Sequence, residues 1–507
     1  KLRKGNSMNL INKIITGLTL VLFTLSLTNL SRADAHSDRL DKIESQVQDA
    51  LIKMKGLEKK TKDTPSIKIG PGFKAKSGKN QFKLGGRIHF DMGSYDSADG
   101  ATCQAAHSVT DSSCLVNGTN FRRLRLAVSG KYDSMFYYKA SVDWGASAKQ
   151  GTDNTDNASV DEAFLGYKLA KNTTFSVGKQ KMPVAFAEST SSNDMAFIER
   201  APSLDALTDE TIGPKRMGVQ LRNWDKKMGY LVELGMHGSG DTFETELTNE
   251  DFGLGARVAY APILSKKQVL HLGYWHNKTL VDETRYGAAS GVGTRDLQWN
   301  YRTGLNVSDE KFLDMEDDAD DKGGWTDMIH YGAEFAYLYG PAWVQAEWIW
   351  GEMNRAVMPG DTNTFSSYKA NGGYYQFGYV MGSERRYTIK KGGWKAPKVK
   401  NPVSKGGSGV HEIVLRRDQL SLNDLADSAS SGFSIDEGTQ KTWTLGYNWY
   451  LNNSNRIMVN YINVDVDCEA VKNVSKLDCG ATSNGITNNP DDYTTIKVLG
   501  VRFQTKW

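Results

Sequence analysis

Long apolar runs are scarce in this 507-residue chain. Only the run from Ile14 to Leu30 approaches the ~18 apolar residues a spanning helix requires. Mean hydropathy is -0.50, which is too polar for a helical membrane protein. Proline is sparse at 11 residues, so little of the chain is barred from a hydrogen-bonded ladder. The eight histidines are scattered. No His-Glu-x-x-His, Gly-x-Ser-x-Gly or phosphate loop occurs, so no enzyme, metal site or cofactor is expected. The four cysteines fall as two pairs in polar stretches, Cys103 with Cys114 and Cys468 with Cys479. In an exported protein these read as two small loop disulfides. Charge excess is also lacking. Residues 1–35 carry Lys1, Arg3, Lys4, Lys13 and Arg32 against Asp34, and without them the basic and acidic totals are nearly equal. Any anion preference must therefore come from where charges sit.

What is abundant is aromatic residues and glycine, with 12 Trp, 22 Tyr, 18 Phe and 50 Gly at modest hydrophobicity. That mixture suits alternating strands. The leader, residues 1–35, reads as upstream residues and a secretory signal from Met8, ending in Ala33-Asp34-Ala35 with cleavage expected before His36. Residues 36–63 place Leu40, Ile43, Val47, Ala50, Met54 and Leu57 at spacings of three and four, a short coiled-coil seam. A seam of about three heptads is marginal alone and calls for partner chains or a tether. Residues 64–80 read as a polar linker.

From Gln81 the period changes to two. Phe82, Leu84, Ile88, Phe90 and Met92 share one face, and Lys83, Arg87, His89 and Asp91 the other. Leu124, Leu126 and Val128 oppose Arg123, Arg125 and Lys131; Phe136, Tyr138, Ala140 and Val142 oppose Lys139 and Asp143. Met217, Val219 and Leu221 oppose Arg216 and Arg222, and Val258 and Tyr260 oppose Arg257. Val344, Ala346, Trp348 and Trp350 oppose Gln345 and Glu347, and Trp443, Leu445, Tyr447 and Trp449 form another aromatic face. About seventeen such segments occur, the one at "QWNYRTG" being the weakest. Tight turns such as "NWDKK" and "YLYGPAW" contrast with long loops at 277–326 and 383–410. The expected fold is all-β: residues 81–507 as a transmembrane antiparallel β-barrel of sixteen or eighteen strands, behind a short N-terminal α-helical coiled coil. The chain's end, "IKVLGVRFQTKW", then reads as a closing strand, with Leu499, Val501, Phe503, Thr505 and Trp507 toward lipid.

Several stretches are similar to the phosphate-selective porin O and P family. They are "RRLRL", "VGKQKMPVAFAESTSSNDMAFIERAPSLDAL", and "GYYQFGYVMGSERRYTIKKGGWKAPKVKNP" followed by "GVHEIVLRRDQLSLND" and "TWTLGYNWYLNNSNRIMVNYINVDV". Gly382-Ser383-Glu384-Arg385 is a permuted form of the family's Gly-Glu-Ser-Arg turn, while Leu422-Asn423-Asp424 and Glu199-Arg200 match as they stand. The resemblance covers roughly residues 80–507 and the short coiled coil. It implies a sixteen-stranded homotrimeric channel in the bacterial outer membrane, with the N-terminal helix in the periplasm. It implies passage of small anions such as phosphate along lumen arginines.

The expected track is Arg87, Arg123, Arg125, Arg216, Arg222 and Arg257, with Lys83, Lys131 and Lys139 beside it. Guanidinium forks suit phosphate, and a channel needs weak, repeated sites. Asp91, Asp143 and Glu347 on the same faces fit a merely charge-balanced lumen equally. Between Met182 and Pro214 lies the expected constriction loop, with Glu188, Asp194, Glu199, Asp205, Asp209 and Glu210 against Arg200 alone. Folded into a pore, it makes an acidic eyelet unless wall arginines dominate, a departure from a phosphate-selective member. The basic stretch with Arg385, Arg386, Lys390 and Lys391 is expected at a pore mouth, to concentrate anions or to bind lipid headgroups. The alternatives are a weakly selective or cation-preferring porin, and an envelope tether gripping a periplasmic partner through the coiled coil.

Overall fold

The computed structural model describes residues 41–53, 65–97, 115, 117–145, 158–210, 215–238, 252–280, 299–308, 311–315, 325–355, 367–424, 435–467 and 494–507. The signal segment and all four cysteines lie outside these residues. The chain divides into two units, Lys1–Ser66 and Ile67–Trp507. In the first, residues 41–53 are helical, with the seam residue Ile43 exposed.

The second unit is built of strands: β1 (Ser66–Gly70), β2 (Gly72–Ser77), β3 (Asn80–Ser97), β4 (Gly118–Tyr132), β5 (Phe136–Asp143), β6 (Ser159–Ala170), β7 (Thr173–Lys181), β8 (Lys215–Asp225), β9 (Tyr230–Gly238), β10 (Phe252–Leu264), β11 (Gln268–Leu280), β12 (Trp299–Arg302), β13 (Lys311–Met315), β14 (Trp325–Tyr339), β15 (Ala342–Arg355), β16 (Ser367–Met381), β17 (Arg386–Thr388), β18 (Gly393–Lys395), β19 (Val410–Asp424), β20 (Ile435–Tyr450), β21 (Asn455–Asp467) and β22 (Thr494–Lys506). Sixteen of them (β3–β11, β14–β16 and β19–β22) pair antiparallel in order, and β22 pairs with β3 to close the barrel. Closure leaves no unpaired edge within the wall.

The last strand is held as its pattern requires. Leu499 and Phe503 are exposed while Arg502 is fully buried inside. Trp507 N–H donates to the Gly86 carbonyl at 3.1 Å, and Gly86 N–H donates to the Trp507 carbonyl at 3.2 Å. Its ring lies so close to Gly86 that an added Cβ would stand 2.5 Å from it, so only glycine fits there.

Three expectations are corrected. The stretch 64–80 is more than a linker: β1 and β2 form a ribbon, and β2 adds to β3 with Phe73 opposite Leu84. "QWNYRTG" contributes no wall strand, because β12 pairs only with β13 in a separate two-stranded sheet. The segment between β16 and β19 does not belong with the long loops. Strand parity puts it at the end where β4–β5, β6–β7, β14–β15 and β20–β21 turn tightly. From there it re-enters the barrel as the β17–β18 hairpin.

Nor is the lumen uniformly wet. Trp275, Ile349, Met353, Ile462, Val464 and Val498 point inward from the wall. They pack against Leu204 and Leu207 of the 182–210 loop and against Trp299, Leu305 and Leu313 of the β12–β13 region. This apolar filling blocks one side of the interior and leaves the polar space against β3–β8.

Candidate functional site

The polar wall is shaped by two β-bulges. His89 pairs with Arg123 and Phe90 with Phe121, so Arg122 is an extra residue on β4. Both Arg122 and Arg123 therefore turn inward, where simple alternation allots one of them to lipid. The β5–β6 pairing slips likewise at Asp161: Ser141 opposes Glu162 and Val142 opposes Val160. Asp161 and Glu162 thus both face the lumen. Arg125 pairs with Asp143, and its Nη1 lies 2.8 Å from Asp161 Oδ1; Lys215 also pairs with Asp161, and Lys139 with Glu162. Arg87 is held instead by the Ser192 hydroxyl, to which Nη1 donates at 2.6 Å. Arg123 is buried, with Glu199 at 3.9 Å, and its Nε and Nη1 have no hydrogen-bond acceptor.

The constriction loop folds inward and is gripped from the opposite wall. Arg385 donates to the Asp194 carbonyl at 2.8 Å, Arg456 to Met195 at 2.5 Å and Arg416 to Glu199 at 3.1 Å. Arg502 donates to the Ile198 carbonyl and pairs with Asp91 at 2.6 Å and Glu199 at 2.5 Å. Asn448 donates to the Ala196 carbonyl at 2.7 Å, and Ile198 N–H donates to Asn460 Oδ1 at 3.0 Å. Glu347 accepts from the N–H groups of Phe186 and Ala187 at 2.7 and 2.9 Å. These contacts give backbone groups of the loop between its short helical turns their partners inside the barrel.

The loop's acids are spent in the same grip. Glu188 lies 2.7 Å from Lys181 and 2.5 Å from Arg200, and Glu199 pairs with Arg122 at 3.1 Å besides Arg502. Burial alone would push both carboxyls up. Arg200 and Lys181 outweigh it and hold Glu188 at about 2. Arg122, Arg502 and Arg123 hold Glu199 well below the usual carboxylate range. Asp194 pairs with Lys506 at 3.4 Å. Glu188, Asp194 and Glu199 therefore do not form the acidic eyelet expected from the loop's composition, because arginine and lysine neutralise them.

The β17–β18 hairpin meets the loop inside the barrel. Arg257 is the clasp, fully buried. Its Nε and Nη2 lie 2.7 and 2.8 Å from the Glu334 carboxylate, and its Nη1 lies 3.1 Å from Glu233 and 2.7 Å from Ser189 Oγ. It also donates to the carbonyls of Lys391 at 3.0 Å and Gly392 at 2.8 Å. His271 bridges Tyr387 and Glu334, and Trp394 N–H donates to Thr190 Oγ1 at 3.1 Å.

Between the β3–β8 wall, the loop and the hairpin lies a cavity of about 470 Å³. Its lining holds ten cationic side chains (Arg87, Arg122, Arg123, Arg125, Lys139, Lys179, Lys181, Arg200, Lys215 and Lys391) against four acids, Asp143, Asp161, Glu162 and Glu188. A second cavity of about 590 Å³, edged by β1, β2 and Trp507, shares Arg87, Arg125, Lys139 and Asp161 with the first. The two together trace a polar route past the constriction. Lys391 sits on it, its amine pushed down to about 8 by burial and then by Arg222. It is charged below that pH and neutral above. Anion preference is therefore expected to fall as pH rises from 7 to 9, and Lys391→Gln to flatten that profile; reversal potentials at several pH values check it.

The expected residues thus divide. Arg87, Arg123, Arg125 and Lys139 converge on the route, and Lys83 lines the second cavity. Arg222 faces inward, pairing with Glu233 at 2.5 Å, and Lys131 is exposed near the short-turn end. Arg216 and Arg257 face inward but are buried outside the cavity lining, and Arg257 is a clasp. Arg385 is not at a mouth: it is buried, pairs with Glu412 at 2.6 Å and stacks over Trp343. Arg386 donates to the Ala396 carbonyl at 3.1 Å, and Lys390 lies over the Trp224 ring at 4.5 Å. Arg122 is missed by alternation because a bulge leaves no mark in composition. Arg416, Arg456 and Arg502 have inward parity in the sequence, which is the signal that finds them.

A family model described as phosphate-selective porin O and P matches residues 82–483. The chain belongs to the phosphate-selective porin O and P family. Among curated relatives, Porin O of Pseudomonas aeruginosa is 24% identical over 398 residues, covering 76% of this chain and 83% of that protein. An uncharacterized protein of Caulobacter vibrioides is 25% identical over 440 residues, covering 84% of this chain and 74% of its own. Among solved structures, an anion-selective porin from Comamonas acidovorans aligns with TM-score 0.48 at 11% identity, over 84% of this chain and 100% of that one. The outer membrane channel DcaP of Acinetobacter baumannii aligns with TM-score 0.46 at 13% identity, over 86% and 100%. As a member of the porin O and P family, the protein is an outer-membrane channel.

Proposed function

We propose that this porin passes small hydrophilic anions, inorganic phosphate among them, by diffusion along the β3–β8 wall, and that it works as a homotrimer. The observation that carries the reading is the charge of the route: ten cations against four carboxylates, with Glu188, Asp194 and Glu199 of the loop already paired. Arg87, Arg123 and Lys391 are the cations on it for which no carboxylate lies within hydrogen-bonding distance among the described residues, so they offer weak, successive sites for a passing anion. Arg125 and Lys139, each shared with a carboxylate, release an ion more readily than bare cations would. The family's preference for phosphate supports the same reading. The helix at 41–53 is assigned to the periplasm, where its exposed seam would meet sister helices or an envelope partner.

The deciding measurement is the reversal potential of the reconstituted channel in a KCl gradient, repeated with phosphate as competitor. An anion-selective potential and a chloride current reduced by phosphate are expected. A cation-selective potential would overturn the proposal.

A further inference from the structure

The outer surface of the barrel carries a cation where the apolar band should continue. From the short-turn end, outward side chains on β19 run His411, Ile413 and Leu415, then Arg417 and Gln419. On β20 they run Trp449, Tyr447, Leu445 and Trp443, then Lys441. The band therefore ends on this side at the row where Arg417 pairs with Trp443. The guanidinium lies 5.3 Å from the centre of the Trp443 ring, and its Nη1 is buried without a hydrogen-bond acceptor. An arginine on the lipid side is costly unless it sits at headgroup level or meets an anion.

Beside it the wall is hollow. Ala333, Ala346 and Gly373, on three successive strands, floor a cleft of about 470 Å³. Phe335, Trp348 and Tyr375 form its sides and are 39%, 41% and 45% exposed. The Trp348 ring lies over Gly373, where an added Cβ would stand 2.2 Å from it. Arg417 and Gln419 close one end of the cleft. In register, Gln419 faces Lys441, a second cation at that end.

We propose that this cleft binds one phosphorylated lipid of the leaflet at the long-loop end. The phosphate accepts from Arg417 and Gln419, and an acyl chain lies over the small residues between the aromatic rings. The chemistry commits the site to a lipid rather than a free anion. A cation at one end matches the phosphate, and an apolar trough walled by Phe335, Trp348 and Tyr375 has no use for an inorganic ion. Neither Arg417 nor Gly373 faces the lumen, so the site is separate from the conducting route.

The test is native mass spectrometry of the full chain released from phosphatidylcholine nanodiscs containing a minority of lipid A or phosphatidylglycerol. The wild type is expected to retain one phosphorylated lipid per chain. Arg417→Gln should lower that occupancy about tenfold, as loss of one charge-assisted contact implies, with conductance unchanged. Gly373→Val, which displaces Trp348 into the cleft, should lower it while Arg417 remains; heat-modifiable gel mobility checks that both variants fold. Equal retention by Arg417→Gln overturns the proposal, as does displacement by millimolar inorganic phosphate. So does disulfide capture of a neighbouring barrel through Gln419→Cys, which would show the cleft covered by a second copy.

Discussion

Replacing Arg87, Arg123 and Lys391 together by glutamine is expected to abolish most of the channel's anion preference while leaving the barrel folded. These three cations line the route, and no carboxylate is within hydrogen-bonding distance of them among the described residues. In water each unit charge about 4 Å from a passing ion contributes ~1 kcal/mol, more where the walls are protein. Removing three should lower the chloride-to-potassium permeability ratio by about tenfold or more at low salt. The effect should shrink as salt rises toward 1 M, where screening is about 3 Å. The control is the matching substitution of Arg222, which is inward but paired with Glu233. Its removal leaves Glu233 to Arg257 alone and should shift selectivity less than the triple change does. An unchanged reversal potential in the triple variant would remove these side chains from the mechanism.

Opening the clasp at Arg257 is expected to widen the channel. That one guanidinium joins β10 to Glu233 and Glu334 on the wall, to Ser189 of the constriction loop and to the hairpin carbonyls of Lys391 and Gly392. Arg257→Ala alone strands a buried carboxylate, which costs about 3–5 kcal/mol, so the single variant confounds stability with gating. The paired change Arg257→Met with Glu334→Gln removes the cation and its closest acid together. It should keep heat-resistant gel mobility near the wild type and raise single-channel conductance about twofold, with more current noise, as the hairpin loses its hold. Equal conductance in the paired variant would mean that His271, Tyr387 and Trp394 suffice to keep the hairpin seated.

Much of this molecule is legible one strand at a time. Alternation separates Leu499 and Phe503 from Arg502, and Trp443 and Leu445 from Thr444, because a pleated strand between lipid and protein must sort its side chains every second residue. The same rule places Arg87, Arg123, Arg125 and Lys139 inside. It misplaces Arg122, since a bulge shifts the register by one residue without changing the composition around it. It is also silent on partners. Glu188 and Glu199 look like an acidic eyelet when read along the loop, yet beyond Arg200 their counter-charges come from Lys181, Arg122 and Arg502, the last some three hundred residues away.

The sequence by itself determined the architecture: strand period, aromatic bands, closing strand and the family to which these belong. All of these follow from local rules that a solvent boundary imposes on each strand separately. Only the tertiary structure decided which inward cations line the open cavities and which are buried in ion pairs. It turned Arg257, Arg385 and Arg502 into anchors, folded the basic hairpin inward from the short-turn end, and filled one side of the lumen with apolar side chains. The physical reason is that a buried charge takes its role from the groups within a few ångströms of it, and closing the barrel chooses those groups.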